Sequence, residues 1–304
     1  MIKVENLSKK YGSFLALDRI NFEVNEGEIV AFLGPNGAGK TTTMRILTGF
    51  MPPTEGKAFI SGMDVYEETT KVKALIGYLP ENPPLYPELT VSEYLTYVAE
   101  LKKVPKDLIK KNVDKVIELT DLGERKNTLI QLLSKGLKQR VSIAQSIVNS
   151  PAVIILDEPT VGLDPVQVVE IRNLIKSLAG IEKSTILIST HLLSEAQEIC
   201  SKAIIINNGK IIAEDSIEAL KQKQKPGFKI IVKALRNHKK ILESLKKMPE
   251  IIEVEYKNNE DILITTKEDK REEIARIIVG MDGGLIEMTQ KESSLEDIFL
   301  QLIQ

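Results

Sequence analysis

A glycine-rich turn between an apolar run and a helical pattern constrains this chain more than any other stretch. The run Ile29–Leu33 predicts a buried strand, and the turn at 34–42 has the spacing G-x-x-x-x-G-K-[ST] ahead of a helix. Glycines adopt backbone angles that a Cβ forbids, so several N–H groups can converge at the positive end of the helix. Such a point suits a triphosphate, with Lys40 at the β- and γ-phosphates and the Thr41 hydroxyl as a ligand of Mg²⁺. The residues predicted to surround the phosphates are Gly34, Pro35, Asn36, Gly37, Ala38, Gly39, Lys40, Thr41 and Thr42.

Composition limits the remaining possibilities. The 304 residues are enough for two domains, and 41 Lys and Arg against 43 Asp and Glu give a net charge of −2. This balance argues against a nucleic-acid partner. The single cysteine, Cys200, excludes an intrachain disulfide framework and suits a reducing compartment. No stretch reaches the ~18 apolar residues of a membrane span, and the sequence does not open on a signal-peptide pattern, so any membrane role is expected to come through a partner.

Alternating strand and helix patterns surround the turn and predict an α/β fold. The expected core is that of a P-loop NTPase, with a mostly parallel sheet, an antiparallel β subdomain and a helical insert at about 83–150. A polar run and a Pro-Gly pair at 221–227 predict a boundary. Beyond it, the order β-α-β-β-α-β predicts a small α+β domain of the ferredoxin-like type, followed by a short helix at 295–302. The expected domains are therefore 1–220 and 226–304.

Two adjacent acids end a second apolar strand pattern, at 153–158. At the carboxyl edge of a parallel sheet, Asp157 can hold Mg²⁺ while Glu158 accepts a proton from attacking water. On its own, such a pair is equally compatible with a solvated turn. Downstream of a phosphate-binding loop, a catalytic role is the better interpretation.

Three further positions have both an ordinary structural and a functional interpretation. Ser134 and Gly136 begin a helical pattern, where Ser134 is either a plain N-cap or, with the Gly136 amide, a second anion site. Asp164 can simply cap the helix that starts at Pro165. His191 ends a buried strand pattern and is either an incidental loop residue or part of the site.

Together, in this order and spacing, these stretches resemble the nucleotide-binding subunits of ABC transporters over residues 1–220. The motifs are similar to Walker A at 34–42, the signature at 133–137, Walker B at 153–158, the D-loop at 162–165 and the switch histidine at His191. Tyr11 matches the aromatic residue that stacks on adenine. The resemblance implies that the chain binds ATP and Mg²⁺ and hydrolyses ATP, with Lys40, Glu158 and His191 as catalytic residues.

The same resemblance implies a dimer of two ATPase subunits, identical or closely related, placed head to tail. Each ATP then lies between one P-loop and the other subunit's signature, so that Ser134 and the Gly136 amide contact the partner's ATP; Asp164 of the D-loop is also expected to bind nucleotide. A separately encoded integral membrane permease completes the transporter. The ATPase is expected in the cytoplasm, held through the permease on the inner face of the cell membrane.

Two positions depart from the family pattern. Glu81 stands where the family usually has a Gln, and a carboxylate there can still hold Mg²⁺ or water. Leu137 replaces a Gln of the signature, which leads to the hypothesis of relaxed selectivity between ATP and GTP. With the stretch at 84–91, these variants resemble a bacterial exporter branch that includes gliding-motility and antibiotic-efflux ATPases. In that branch Leu85 and Tyr86 are expected to anchor the permease, although they are equally compatible with core packing.

The sequence leaves two alternative functions to weigh. A soluble ABC ATPase of translation or DNA repair usually carries two cassettes or a long coiled coil, whereas this chain has a single Walker A pattern and no heptad run. A nucleotide-gated regulatory module would not need both Glu158 and His191. An ATP-driven subunit of an exporter, whose substrate is selected by the permease, accounts for all of these features.

Overall fold

A computed structural model describes residues 1–182, 184–222, 228–258 and 261–291, which belong to two compact units. The first unit extends from Met1 to Ile217, and the second begins at Glu218. The strands of the first unit are β1 (Ile2–Tyr11), β2 (Phe14–Val24), β3 (Ile29–Leu33), β4 (Glu55–Ile60), β5 (Met63–Asp64), β6 (Ile76–Leu79), β7 (Val153–Asp157), β8 (Thr185–Thr190), β9 (Lys202–Asn207) and β10 (Lys210–Ser216). Its helices are α1 (Lys40–Leu47), α2 (Thr69–Leu75), α3 (Val91–Leu101), α4 (Lys106–Leu119), α5 (Lys135–Ile147), α6 (Pro165–Glu182) and α7 (Leu193–Ile199).

The central sheet of the first unit has the strand order β10-β9-β3-β8-β7-β6. Its neighbours are parallel, except that β10 pairs antiparallel with β9. Nearly every residue of β3, β7 and β8 is buried, as expected for parallel strands covered on both faces. Because the carboxyl ends of parallel strands meet at one edge of the sheet, the segments that follow these three strands lie side by side. That edge carries the glycine-rich turn, Glu158 and His191.

A second sheet of the same unit is antiparallel, in the order β2-β1-β4-β5. The β1–β2 hairpin turns at Gly12, whose φ of 58° lies in the left-handed region, and places Tyr11 directly opposite Phe14. This arrangement is the predicted antiparallel β subdomain.

The predicted helical insert contains α3, α4 and α5. A capping box starts α3, since the Thr90 hydroxyl accepts from Glu93 N and the Glu93 carboxylate accepts from Thr90 N at 2.9 Å. The buried residues of α4, such as Ile109, Val113 and Ile117, follow the spacing that predicted this helix.

The second unit contains β11 (Phe228–Ala234), β12 (Ile251–Asn258), β13 (Asp261–Thr266) and β14 (Leu285–Lys291), with helices α9 (His238–Leu245) and α10 (Arg271–Gly280). Helix α8 (Ile217–Gln222) begins with the last residue of the first unit and continues into the second. Its strands form an antiparallel sheet in the order β12-β13-β11-β14, and Ile241, Leu245, Ile274 and Ile278 of α9 and α10 belong to its buried core. This is the predicted ferredoxin-like arrangement.

The predicted domain limits, 1–220 and 226–304, remain predictions. Most of the expected linker and the helix expected at 295–302 lie outside the described residues. Within the described residues, none of the helices combines the length and apolar character that a membrane-spanning helix requires.

Candidate functional site

The glycine-rich turn forms a closed backbone loop between β3 and α1. Gly37 and Gly39 have φ values of 81° and 112°, a region that residues with a side chain rarely adopt. A Cβ on Gly34 would lie 2.5 Å from the carbonyl oxygen of Ile206, and a Cβ on Gly39 would lie 2.7 Å from Leu17. Close approach therefore requires glycine at Gly34, backbone conformation requires it at Gly37, and both reasons apply at Gly39.

Lys40, the first residue of α1, lies inside this loop. Its ammonium donates to the carbonyl oxygen of Gly34 at 2.8 Å and is 3.4 Å from a carboxylate oxygen of Glu158. Both side chains of this ion pair are buried. Removal of one partner from a buried pair leaves an uncompensated charge, at a typical cost of about 3–5 kcal/mol.

The end of β7 presents two carboxylates with different surroundings. Asp157 is 1% exposed, and neither of its carboxylate oxygens has a hydrogen-bond partner among the described residues. Burial raises the pKa of the Asp157 carboxyl, and the nearby Ser189 and Thr41 hydroxyls oppose that rise only in part. The hydroxyl of Ser189, opposite Asp157 on β8, likewise lacks a partner. These unpartnered buried oxygens indicate a place for a bound cation or water.

Glu158 has a strained backbone, with a φ of 51°. Its N–H donates to the carbonyl oxygen of Ser189 at 2.9 Å, which fixes the turn against the end of β8. The Glu158 carboxylate contacts Lys40 on one side and His191 on the other.

His191 follows β8 directly and contacts Glu158. Its Nδ1 lies 3.1 and 3.0 Å from the two carboxylate oxygens of Glu158. A carboxylate accepts hydrogen bonds only, so Nδ1 carries the proton and donates. In the neutral imidazole Nε2 is then an acceptor, available to a ligand.

A cavity of about 490 Å³ brings most of the predicted site residues together. The predicted residues that line it are Tyr11, Pro35, Asn36, Gly37, Gly39, Lys40, Thr41, Thr42, Glu81, Glu158 and His191. Gly34, Ala38 and Asp157 are buried and do not line it.

Sequence reasoning missed one aromatic wall of this cavity. Phe14 is exposed, lines the cavity and lies opposite Tyr11 in the β1–β2 hairpin. The Tyr11 hydroxyl contacts the sulfur of Met51 at 3.1 Å, and the Lys9 ammonium lies 5.6 Å from the centre of the Tyr11 ring. The spacing Tyr-Gly-Ser-Phe around a two-residue turn was the available signal.

Ser134, Gly136 and Asp164 lie outside the lining of that cavity. Ser134 caps α5 by accepting from Leu137 N at 3.3 Å, and Asp164 accepts from Gln167 N at 2.9 Å at the start of α6. A Cβ on Gly136 would lie 2.7 Å from the Gln167 side chain. The predicted site therefore falls into two groups, which are called here the P-loop cavity and the signature cluster (Ser134, Gly136 and Asp164).

Comparison with known proteins identifies the family. A family model described as ABC transporter matches residues 17–161. The bacitracin transport ATP-binding protein BcrA of Bacillus licheniformis is 34% identical over 303 residues, which cover 100% of this chain and 97% of that protein. This chain belongs to the ABC transporter ATP-binding family.

Two solved structures of this family share the fold of the first unit. One is an ATP-binding subunit of an ABC transporter, with a TM-score of 0.66, 30% identity, and coverage of 73% of this chain and 92% of that chain. The other is a dimeric ATP-binding cassette in a post-hydrolysis state bound to ADP and Pi, with a TM-score of 0.65, 29% identity, and coverage of 71% and 99%.

As a member of the ABC family, the chain is an ATP-binding and ATP-hydrolysing subunit of a transporter. The relatives support this function and give no support to the alternative of a soluble ATPase of translation or DNA repair. Family membership also implies a membrane permease and a second ATP-binding subunit as partners.

Proposed function

We propose that this chain powers an exporter by hydrolysing ATP in the P-loop cavity, with the signature cluster of a second subunit completing the site. The observation that carries the proposal is the continuous set of contacts from Lys40 through Glu158 to His191 at the cavity. It combines a cation for phosphate groups, a carboxylate base and a histidine in one place.

Glu158 acts as the general base and His191 positions it. A bound triphosphate competes with Glu158 for the Lys40 ammonium, so the carboxylate is released from its ion pair when the substrate arrives. The Nδ1–H of His191 holds the carboxylate in place, while Nε2 is available as an acceptor. A base positioned in this way contributes about 10²–10⁴-fold to the rate.

The buried oxygens near Asp157 fit a magnesium ion. Asp157, Thr41 and Glu81 supply oxygen donors of the kind that Mg²⁺ prefers, and the unpartnered Asp157 oxygens would gain a ligand. Magnesium would neutralise charge on the phosphoryl oxygens during hydrolysis.

The base of ATP is held between aromatic surfaces. Tyr11 and Phe14 are both exposed and line the cavity, and stacking on such rings does not distinguish one purine from another. With Leu137 in the signature, this favours similar use of ATP and GTP.

The signature cluster supports an arrangement of two copies. Ser134 is exposed at the N-terminus of a 13-residue helix and lies outside the P-loop cavity of its own chain. It is therefore accessible to a nucleotide bound by a second subunit. In the proposed dimer, identical or with a close paralogue, Ser134, Gly136 and Asp164 contact the ATP of the partner.

An integral membrane permease is the second partner, and it places the subunit on the cytoplasmic face of the membrane. Tyr86 is exposed, with its ring 5.6 Å from that of Tyr97 and 6.0 Å from that of Tyr94. Tyr94 is buried, so the exposed Tyr86 and Tyr97, with Leu85, are the proposed docking point. The bacitracin transporter among the relatives favours export of an antibiotic-like compound. No nucleic-acid partner is proposed, because the charge of the chain is balanced.

Glu158→Gln tests the proposal. The variant removes the base but keeps the size of the side chain, so we expect normal ATP binding, ATP-driven dimerisation and about a hundredfold or greater loss of phosphate release. Nucleotide binding, gel filtration with ATP and a phosphate-release assay measure these three properties. The exposed Glu26→Gln serves as the matched control. Wild-type turnover by Glu158→Gln would overturn the assignment of the base.

A further inference from the structure

A buried carboxylate lies behind the P-loop cavity, on α7. Glu195 is 2% exposed, and it does not line the cavity. Its Oε1 accepts a hydrogen bond from the Thr160 hydroxyl, and its Oε2 accepts one from the Thr190 hydroxyl at 3.0 Å. Both hydroxyls are buried.

The two threonines flank the two residues proposed for catalysis. Thr160 follows Glu158 by two positions, and Thr190 directly precedes His191. The Thr190 hydroxyl also accepts from Leu192 N at 3.0 Å, so the backbone on both sides of His191 is held by one side chain. Glu195 therefore joins the turn that follows β7 to the turn that follows β8.

Burying the Glu195 carboxylate costs folding free energy, and packing alone does not explain why a carboxylate occupies this position. A buried carboxylate is unfavourable unless hydrogen bonds or a cation compensate it. Among the described residues no Lys, Arg or His forms an ion pair with Glu195, so the two hydroxyls are its side-chain hydrogen-bond partners. Its place in the first turn of α7 adds the weak positive potential of a helix start. An apolar residue would fill the same space at lower cost, but it would not connect the two turns.

We propose that Glu195 is a positioning residue that sets the contact between His191 and Glu158. The proposal rests on the roles proposed above for those two residues. Beyond the backbone hydrogen bond from Glu158 N to Ser189 O, Glu195 connects the two turns through side chains, and its loss allows the His191 ring to move away from the carboxylate.

Thr160→Val is the main test, because it removes one hydroxyl with little change of volume and touches neither proposed catalytic residue. We expect kcat to fall about tenfold, while the affinity for ATP changes by less than about twofold. Thr160→Ser restores the hydroxyl and should restore most of kcat. Thr120→Val is the matched control, since Thr120 is also buried but its hydroxyl donates to the Val116 carbonyl oxygen of the preceding helix, α4.

Histidine NMR gives a readout that a purely structural role would not change. The chain has two histidines, His191 and His238, and His238 lies in the second unit. We expect Thr160→Val and Glu195→Gln to move the His191 imidazole signals toward their positions in Glu158→Gln, and to leave those of His238 unchanged.

Two results would overturn the proposal: unchanged kcat in Thr160→Val, or a lower kcat with unmoved His191 signals. His191→Ala separates this proposal from the proposed function. Full activity of His191→Ala would reject the role of His191 in hydrolysis, whereas the NMR signals would still report whether Glu195 holds the two turns together.

Discussion

The two units of the chain differ in what they bury. The first unit encloses charged side chains, among them Lys40, Asp157, Glu158 and Glu195. In the described part of the second unit the buried residues are apolar except for Thr266, and the core consists of side chains such as Ile230 and Ile264. Both units are sheets covered by helices, so architecture alone does not explain the difference.

The contrast indicates that the first unit loses folding stability in order to keep functional charges buried. Buried charges cost stability unless they are paired, whereas an aliphatic core contributes stability directly. The first unit keeps such charges at the carboxyl edge of its sheet, next to the cavity. In the described part of the second unit the charged side chains are exposed or half-buried. Substitutions in the two units should therefore have opposite consequences for activity and stability.

Asp157→Asn should show the largest effect, because it should lower ATPase activity while raising the stability of the fold. We expect ATP hydrolysis to fall about a hundredfold or more, since a proposed ligand of Mg²⁺ loses its charge. The metal-free protein should become more stable by on the order of 1 kcal/mol, because the neutral amide replaces a buried carboxylate without partners. Phosphate release and urea unfolding in EDTA measure the two effects.

The pH dependence of that stability gain follows from the raised pKa of Asp157. A carboxyl whose pKa is higher in the folded chain contributes stability fully below its unfolded pKa, and this contribution is lost as the pH rises through the folded pKa. The gap between Asp157→Asn and the wild type should therefore be present at neutral pH and close below about pH 4. The exposed Asp114→Asn is the control. A variant less stable than wild type at neutral pH would contradict the assignment of Asp157 as an uncompensated charge.

Ile264→Ala should produce the reverse pattern in the second unit. Ile264 is fully buried in β13, and removing its side chain leaves a cavity that typically costs about 2–5 kcal/mol. Hydrogen exchange of β11 and β13 should accelerate, while ATPase activity per folded molecule stays near that of wild type. Ile252→Ala, at an exposed position of β12, is the matched control. An equal loss of ATPase activity would show that the second unit supports the catalytic site.

The sequence predicted those parts of the molecule that depend on strong local patterns. Apolar runs located β3, β7 and β8, and glycine spacing located the phosphate loop between β3 and α1. Helix α2 was not predicted, because Val72 is its single buried residue and a helix with so little apolar surface has no periodic pattern.

The contacts that define the site depend on the tertiary fold, and sequence patterns do not report them. Lys40 and Glu158 are 118 positions apart, yet their side chains form a buried ion pair. Glu195 looked like an ordinary polar residue of a short helix until the fold placed it against Thr160 and Thr190. The separation of the signature cluster from the P-loop cavity also required the structure.

Lys102 offers the smallest and most selective test, because it is a half-buried cation of the first unit outside the P-loop cavity. Its ammonium donates to the carbonyl oxygens of Gln145 and Ser146 and to Asn149 Oδ1, near the end of α5. Burial lowers the pKa of Lys102 to about 7. An unfolded lysine keeps its proton to about pH 10, so above neutral pH the unfolded chain binds more protons and the folded state gains stability as the pH rises.

Lys102→Met should remove this increase of folding stability with pH. Between about pH 7 and pH 8, the free energy of unfolding of the wild type should rise by about 1 kcal/mol relative to that of the variant, as measured by urea unfolding at both pH values. Lys106→Met, at an exposed position of α4, should show no such dependence. If the difference between Lys102→Met and wild type stays constant with pH, the three acceptors near the end of α5 compensate the ammonium fully. If Lys102→Met also lost ATPase activity, a charge outside the P-loop cavity, at the helix that carries the signature, would contribute to function as well.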